Sequence, residues 1–208
     1  MSDAVFFDLD GTLIDTESIA LVTGLQAFAA VGHPVDDAFM HGLVGKAEPQ
    51  AAALIRDALP SIDLDAFHRA WKQGFDAHMV VDLPLKPGAV ELLSLLDRPL
   101  ALVTSTRRAG AHHKLGLAGL AQHFPTVITF DDVTAPKPAP DPYLLAAERL
   151  GVDPTRCVVF EDSDIGAEAA HRAGCIVVQV PDVAPTDGRF ARHLAADLMT
   201  GARMAGLI

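Results

Sequence analysis

Four short runs that are apolar at every position, rather than at alternate ones, constrain this chain most. They are Val5-Phe6-Phe7, Leu100-Ala101-Leu102-Val103, Cys157-Val158-Val159-Phe160 and Cys175-Ile176-Val177-Val178, with a weaker run at Thr126-Val127-Ile128. A strand with one wet face alternates in polarity, whereas a strand apolar on both faces needs cover on both. Helical patterns at 88–96, 142–150 and 165–173 lie between the runs, and Gly151 and Gly174 are expected to end the last two. Strand alternating with helix predicts an α/β chain: a doubly wound, mainly parallel, Rossmann-like sheet with helices on both faces.

Residues 16–82 break that rhythm. They have helical periodicity, clearest over 51–59 and 66–75, and contain no convincing strand; Pro84 and Pro87-Gly88 mark the return to alternation. The expected organisation is a core domain of residues 1–15 and 83–208, with a helical cap domain of 16–82 inserted after the first strand. Ligands of open α/β sheets sit beyond the carboxyl ends of the strands. An insertion launched from that edge is expected to overhang the site as a lid.

Composition narrows the function. The chain has 208 residues and a net charge of -11, which argues against a nucleic-acid partner because phosphodiester backbones need clustered Lys and Arg. Mean hydropathy is +0.27, yet no stretch approaches the roughly 18–20 apolar residues a spanning helix needs, so no membrane partner is expected. The start, Met1-Ser2-Asp3-Ala4, lacks a basic region and soon meets Asp8 and Asp10, so a secretory signal is not expected and a cytoplasmic monomer is. Cys157 and Cys175 are expected to be buried free thiols.

The chemistry sits where the runs end. The first is followed by Asp8-Leu9-Asp10-Gly11-Thr12, the second by Thr104-Ser105-Thr106 and the third by Glu161-Asp162-Ser163, with Lys137 in Pro136-Lys137-Pro138 before that last run. Parallel strand ends converge, so these groups are expected in one crevice. Carboxylates crowded together raise one another's pKa unless a cation intervenes. Oxygen ligands without Cys or His favour a hard ion, and Mg²⁺ joins a few carboxylates to phosphate and water. A carboxylate in line with phosphorus can be a covalent nucleophile, a second one two residues on can serve as general acid and then base, and a lysine and hydroxyl can neutralise and orient the phosphoryl group. Gly11 permits a turn that aims backbone N–H groups at phosphate. Singly, each piece has a bland reading: Asp-x-Asp-Gly as a turn, Glu161-Asp162-Ser163 as a helix cap, Lys137 as a solvated loop residue. A calcium loop fails because Thr12-Leu13-Ile14 is apolar where an acidic ladder is needed.

Taken in order, these residues resemble the haloacid dehalogenase-like superfamily over nearly the whole chain. Phe7-Asp8-Leu9-Asp10-Gly11-Thr12-Leu13 is similar to its first motif, Thr104 to its second, Lys137 to its third and Glu161-Asp162 to its fourth. The helical stretch is similar to the cap of the subgroup of sugar phosphatases, β-phosphoglucomutase and phosphoglycolate phosphatase. The resemblance implies an Mg²⁺-dependent phosphatase of a small phosphorylated metabolite. Asp8 would be the nucleophile and a metal ligand, and Asp10 the acid/base, with its carbonyl on the metal. Thr104 would bind the phosphoryl group, Lys137 would balance its charge, and Glu161 and Asp162 would hold the metal. Leu9, Ser105, Thr106, Arg107 and Lys46 would contribute to phosphate or substrate binding.

The competing activity is a phosphomutase. Thr106 and Arg107 stand where β-phosphoglucomutase has a serine and lysine for a distal phosphate, and Lys46 near where its cap supplies a base. Ala20, however, occupies the place of that mutase's cap histidine, which favours hydrolysis. A dehalogenase would lack Asp10, and a non-catalytic binding protein would be expected to have lost Asp8 or Lys137; all three are present. His112-His113-Lys114 reads as a solvated helix face, and Trp71 and Phe75 as cap core. Which of His33, His41, His68 and His78 meets substrate is not encoded in any pattern.

Overall fold

The computed structural model describes residues 2–43 and 48–208. Six strands form one sheet: β1 (Ala4–Phe7), β2 (Leu100–Val103), β3 (Thr126–Ile128), β4 (Cys157–Glu161), β5 (Ile176–Gln179) and β6 (His193–Leu194). The order is β3-β2-β1-β4-β5-β6 and every pairing is parallel. The fold is therefore α/β with a Rossmann-like sheet, as the both-face apolar runs require. Strand order reverses direction at β1, so β1 and β4 flank the switch point where such sheets bind ligands.

The chain divides into two compact units, Met1–Asp15 with Pro84–Ile208, and Thr16–Leu83. In the sheet unit, β1, β2 and β4 are buried throughout and β5 at all but its first residue, while edge strand β3 is fully buried only at Ile128. Successive side chains of β1 face opposite ways. Phe6 packs with Tyr143 of α7 (Asp141–Leu150), and Phe7 stacks on Phe160 at 4.9 Å between ring centres. The Phe6 face is closed by α7 and by α8 (Asp164–Arg172), through Ala146, Ala147, Ala167 and Ala170. On the Phe160 face lies α9 (Leu198–Met204), close enough that a Cβ on Gly201 would sit 2.5 Å from Val178. Also in this unit are α5 (Ala89–Leu95) and α6 (Arg108–Leu117). Gly151 ends α7 in the left-handed conformation expected of it.

The helical unit holds α1 (Thr16–Ala30), α2 (Asp37–His41), α3 (Glu48–Ala58) and α4 (Leu64–Val81). Its core is built from Phe28, Met40, Leu43, Ile55 and Phe67, with Phe28 stacked on Phe67 at 4.1 Å. Trp71 packs on Phe67, as expected of a core residue, and its indole N–H donates to the Ala20 carbonyl at 3.1 Å. Both cysteines are buried and free. Among the described residues, no helix is long and apolar enough to cross a membrane.

Candidate active site

β1, β2 and β4 are neighbours, so the residues just past their carboxyl ends are brought together by hydrogen-bond register alone. Asp8 follows β1, and its N–H donates to the Phe160 carbonyl of β4 at 3.0 Å. Thr104 follows β2, with its N–H on Ile128 of β3 at 2.9 Å. Glu161 ends β4, and Asp162 comes next. Oxygen atoms of Asp8, Glu161 and Asp162 all lie within 4.8 Å of one another.

Lys137 reaches this group from the loop before α7. Its ammonium donates to Asp8 Oδ1 (2.7 Å), Glu161 Oε1 (2.6 Å) and the Val103 carbonyl (2.8 Å), which uses all three of its donors. The side chain is only 5% exposed, so what reads as a loop lysine in sequence is a buried cation. Tyr143 also donates its hydroxyl to Glu161 Oε1. Sequence reasoning missed Tyr143, because a lone tyrosine in an amphipathic helix carries no signal beyond core packing. Glu161 further lies against Gly166 of α8: a Cβ there would fall 2.0 Å from its carboxyl group. Ser163 caps α8 by accepting from the Gly166 N–H at 3.1 Å. The capping reading of Glu161-Asp162-Ser163 is thus realised by the serine, while the two acids turn into the site.

One ammonium cannot neutralise two buried carboxylates and a partly buried third. Burial pushes Asp8 up from its ordinary 3.8 to about 7; Lys137 pulls it back down, and Glu161 adds to the rise. Asp162 is raised well above its ordinary value by burial and then by Asp8 and Glu161. Burial works against the charge of Lys137, but Asp8 and Glu161 outweigh it and hold the lysine above its usual range. Asp8 and Asp162 are raised by burial and by their acidic neighbours, and Lys137 by the same negative charge. A further orphan lies beside it: Asp182 Oδ2 is buried with no hydrogen-bond partner, while Oδ1 takes Lys86 at 2.7 Å. An all-oxygen set short of positive charge fits a hard divalent cation, which Asp8, Glu161 and Asp162 could hold.

Asp10 stands apart from that set by its side chain. Its Oδ1 accepts from Lys114 of α6 at 2.5 Å and its Oδ2 from the Thr106 hydroxyl at 2.8 Å. The Thr106 N–H in turn donates to Thr104 Oγ1 at 3.0 Å, tying the second strand end to the first. Gly11 makes the turn after Asp10 with φ of +82°, and a Cβ on it would lie 2.5 Å from Asp162 Oδ2. Leu9 is fully buried and offers no exposed surface to a ligand. Ser105 is exposed in the turn after β2.

Arg107 is not brought to the group. Its guanidinium donates to Asp131 at 2.9 Å and lies over the Phe130 ring, leaving the side chain 75% exposed. Arg108 pairs likewise with Asp132. A cation that does reach Asp10 is Lys114, 14% exposed, where the sequence suggested a solvated face; of the trio His112-His113-Lys114, the two histidines are exposed. Lys46 lies outside the described residues.

The model of the haloacid dehalogenase-like hydrolases matches residues 2–174. The chain belongs to that family. Among haloacid dehalogenase-like relatives, it is 37% identical to fructose-1-phosphate phosphatase YqaB of Escherichia coli (strain K12) over 85% of this chain and 95% of that one. It is 34% identical to a phosphorylated carbohydrates phosphatase of Thermotoga maritima, covering 83% of this chain and 82% of the other. A family hydrolase from Deinococcus radiodurans R1, solved with bound phosphate and sodium, superposes with a TM-score of 0.85 at 28% identity, covering 100% and 97% of the two chains. This chain is accordingly an enzyme of the hydrolase class.

The packing at Gly166 yields a first prediction. Gly166→Ala forces the Glu161 carboxyl to move, although Lys137 and Tyr143 hold it. Overpacking of this kind costs about 1–3 kcal/mol. Denaturant unfolding should show that loss, and activity should fall with it, whereas Gly116→Ala, which meets nothing within 4 Å, should be near neutral.

Proposed function

We propose that this chain is an Mg²⁺-dependent phosphatase of small phosphorylated metabolites, most specifically sugar phosphates, working through an aspartyl-phosphate. The observation that carries this reading is the placement of Asp8. It is a buried carboxylate at the end of the central strand, bonded to a buried lysine, and its backbone neighbour two residues on has its own cation. The names of the Escherichia coli and Thermotoga maritima relatives support a sugar phosphate as the substrate class. The reading includes a cytoplasmic monomer with a helical cap domain of residues 16–82.

Asp8, Glu161 and Asp162 would hold the metal, together with the Asp10 carbonyl; the metal supplies positive charge that keeps Asp8 ionised and draws charge from the phosphoryl oxygens. In the first half-reaction an Asp8 carboxylate oxygen bonds to phosphorus as the P–O ester bond breaks. The departing oxygen takes its proton from Asp10. In the second, a water gives a proton to the Asp10 carboxylate and its oxygen bonds to phosphorus. The Asp8–phosphorus bond breaks, releasing inorganic phosphate and restoring both carboxyl groups. Lys137, bonded to Asp8 Oδ1, offsets charge as the bond forms, and the Thr104 hydroxyl, which accepts from the Thr106 N–H, is oriented to donate to the phosphoryl group.

A phosphomutase is the second reading, and Ala20 is the residue that speaks against it, since its methyl side chain cannot hydrogen-bond where the mutase gates its acid/base with a histidine. The exposed pairing of Arg107 with Asp131 also gives no support to a distal-phosphate role. The test is a panel of phosphorylated metabolites with Mg²⁺, including β-glucose 1-phosphate with a trace of the 1,6-bisphosphate. Release of inorganic phosphate from a sugar phosphate is expected. Isomerisation to glucose 6-phosphate much faster than phosphate release would overturn hydrolysis in favour of transfer.

A further inference from the structure

We infer that Lys114 is the positioning residue for the acid/base Asp10, a role that rests on the phosphatase reading above. The ammonium comes from the last turn of α6 and spans 104 positions of sequence to place Nζ 2.5 Å from Asp10 Oδ1, and 3.5 Å from Thr106 Oγ1. The Thr106 hydroxyl holds Oδ2 at 2.8 Å. Of the bonds described at Asp10, Oδ1 accepts from a charged donor and Oδ2 from a neutral one.

That asymmetry decides which oxygen works. A charge-assisted bond is roughly twice as strong as a neutral one, so Oδ2 is the oxygen that can exchange its partner for a substrate oxygen while Oδ1 stays fixed. A carboxyl group anchored on one side turns about that anchor only, and a general acid must lie within hydrogen-bond reach of the oxygen it protonates. The anchor is also sheltered: Lys114 is 14% exposed and Asp10 30%, so water competes weakly for either. No other basic residue in or just before α6 fills the role, because Arg107 and Arg108 are committed to Asp131 and Asp132, and His112 and His113 face solvent.

The consequence is selective. Positioning the acid matters when the leaving oxygen needs a proton, and little when it leaves as a stable anion. Lys114→Met keeps the length and removes the charge. In it, kcat/KM for a sugar phosphate that the wild type hydrolyses should fall about 100-fold, the lower end of what a general acid contributes. For p-nitrophenyl phosphate, whose leaving group departs unprotonated, kcat/KM should change less than about threefold. Lys114→Arg, which restores the cation, should recover the sugar phosphate to within about tenfold. Lys114→Gln is the second variant if the methionine protein does not fold, and the same ratio of substrates decides. Equal losses on both substrates, or no loss on either, would overturn the positioning role while leaving the phosphatase reading intact. A wild type that hydrolyses no phosphate ester with Mg²⁺ would sink that reading and this one together.

Discussion

Asp8→Asn is expected to lower turnover by about four orders of magnitude or more, the scale on which a covalent nucleophile is lost, without lowering the melting temperature. The two halves of that expectation have one cause. Asp8 is 7% exposed, and burial together with Glu161 raises its carboxyl to about 7. An amide of the same shape removes one negative charge from a group that has too many, and its carbonyl oxygen can still accept from Lys137. The fold therefore keeps its hydrogen bond and loses a repulsion, while phosphorus loses its attacking atom. Circular dichroism and thermal unfolding of the variant, beside a phosphate-release assay, measure both halves. Activity within tenfold of wild type would rule out Asp8 as nucleophile, whatever the stability.

The site was legible in sequence where it depends on strand ends. Phe7-Asp8, Val103-Thr104 and Phe160-Glu161 each mark the point where an apolar run stops, and parallel pairing of β1 with β2 and β4 then places those three positions side by side. Lys137 was legible only as one of an ordered set, since its burial comes from reaching beneath the end of β2 to the Val103 carbonyl. The two-residue β6 is too short to leave a pattern, and its place is set by pairing with β5.

Lys114 and Tyr143 show where such reasoning stops. Both lie on helices whose own periodicity says nothing about the polar tip of a side chain. Tyr143 buries its ring beside Phe6 and gives its hydroxyl to Glu161, a contact 18 positions away in sequence. Lys114 follows two exposed histidines and inherits their solvated look, yet the turn of α6 carries it round to Asp10. Arg107 errs the other way. Its position next to Thr106 suggests phosphate, but Asp131 and Phe130 hold it away from the carboxylate group.

Removing the metal should abolish turnover, and restoring it should stabilise the fold by an amount that depends on pH. The folded-state values of Asp8 and Asp162 both lie above the ordinary 3.8. A carboxyl raised on folding contributes stability that is fully present below its unfolded value and is lost as pH rises through its folded one. For Asp8 that window runs from about 4 to about 7. The metal-free protein should therefore lose stability across that range from this group, as buried carboxylates ionise without enough positive charge beside them. Mg²⁺ supplies that charge, and at low pH protons compete with it for the same oxygens. The rise in melting temperature on adding one fixed Mg²⁺ concentration should be larger at pH 8 than at pH 5, because Kd is lower at pH 8, and a concentration of 100 times Kd corresponds to a gain of about 2.7 kcal/mol. Ca²⁺ should bind with a similar sign and support turnover poorly, because its larger, looser coordination misplaces the carboxylates. An Mg²⁺ shift that is the same at both pH values would contradict the assignment of Asp8 and Asp162 as ligands. Full activity after exhaustive chelation would contradict the metal requirement itself.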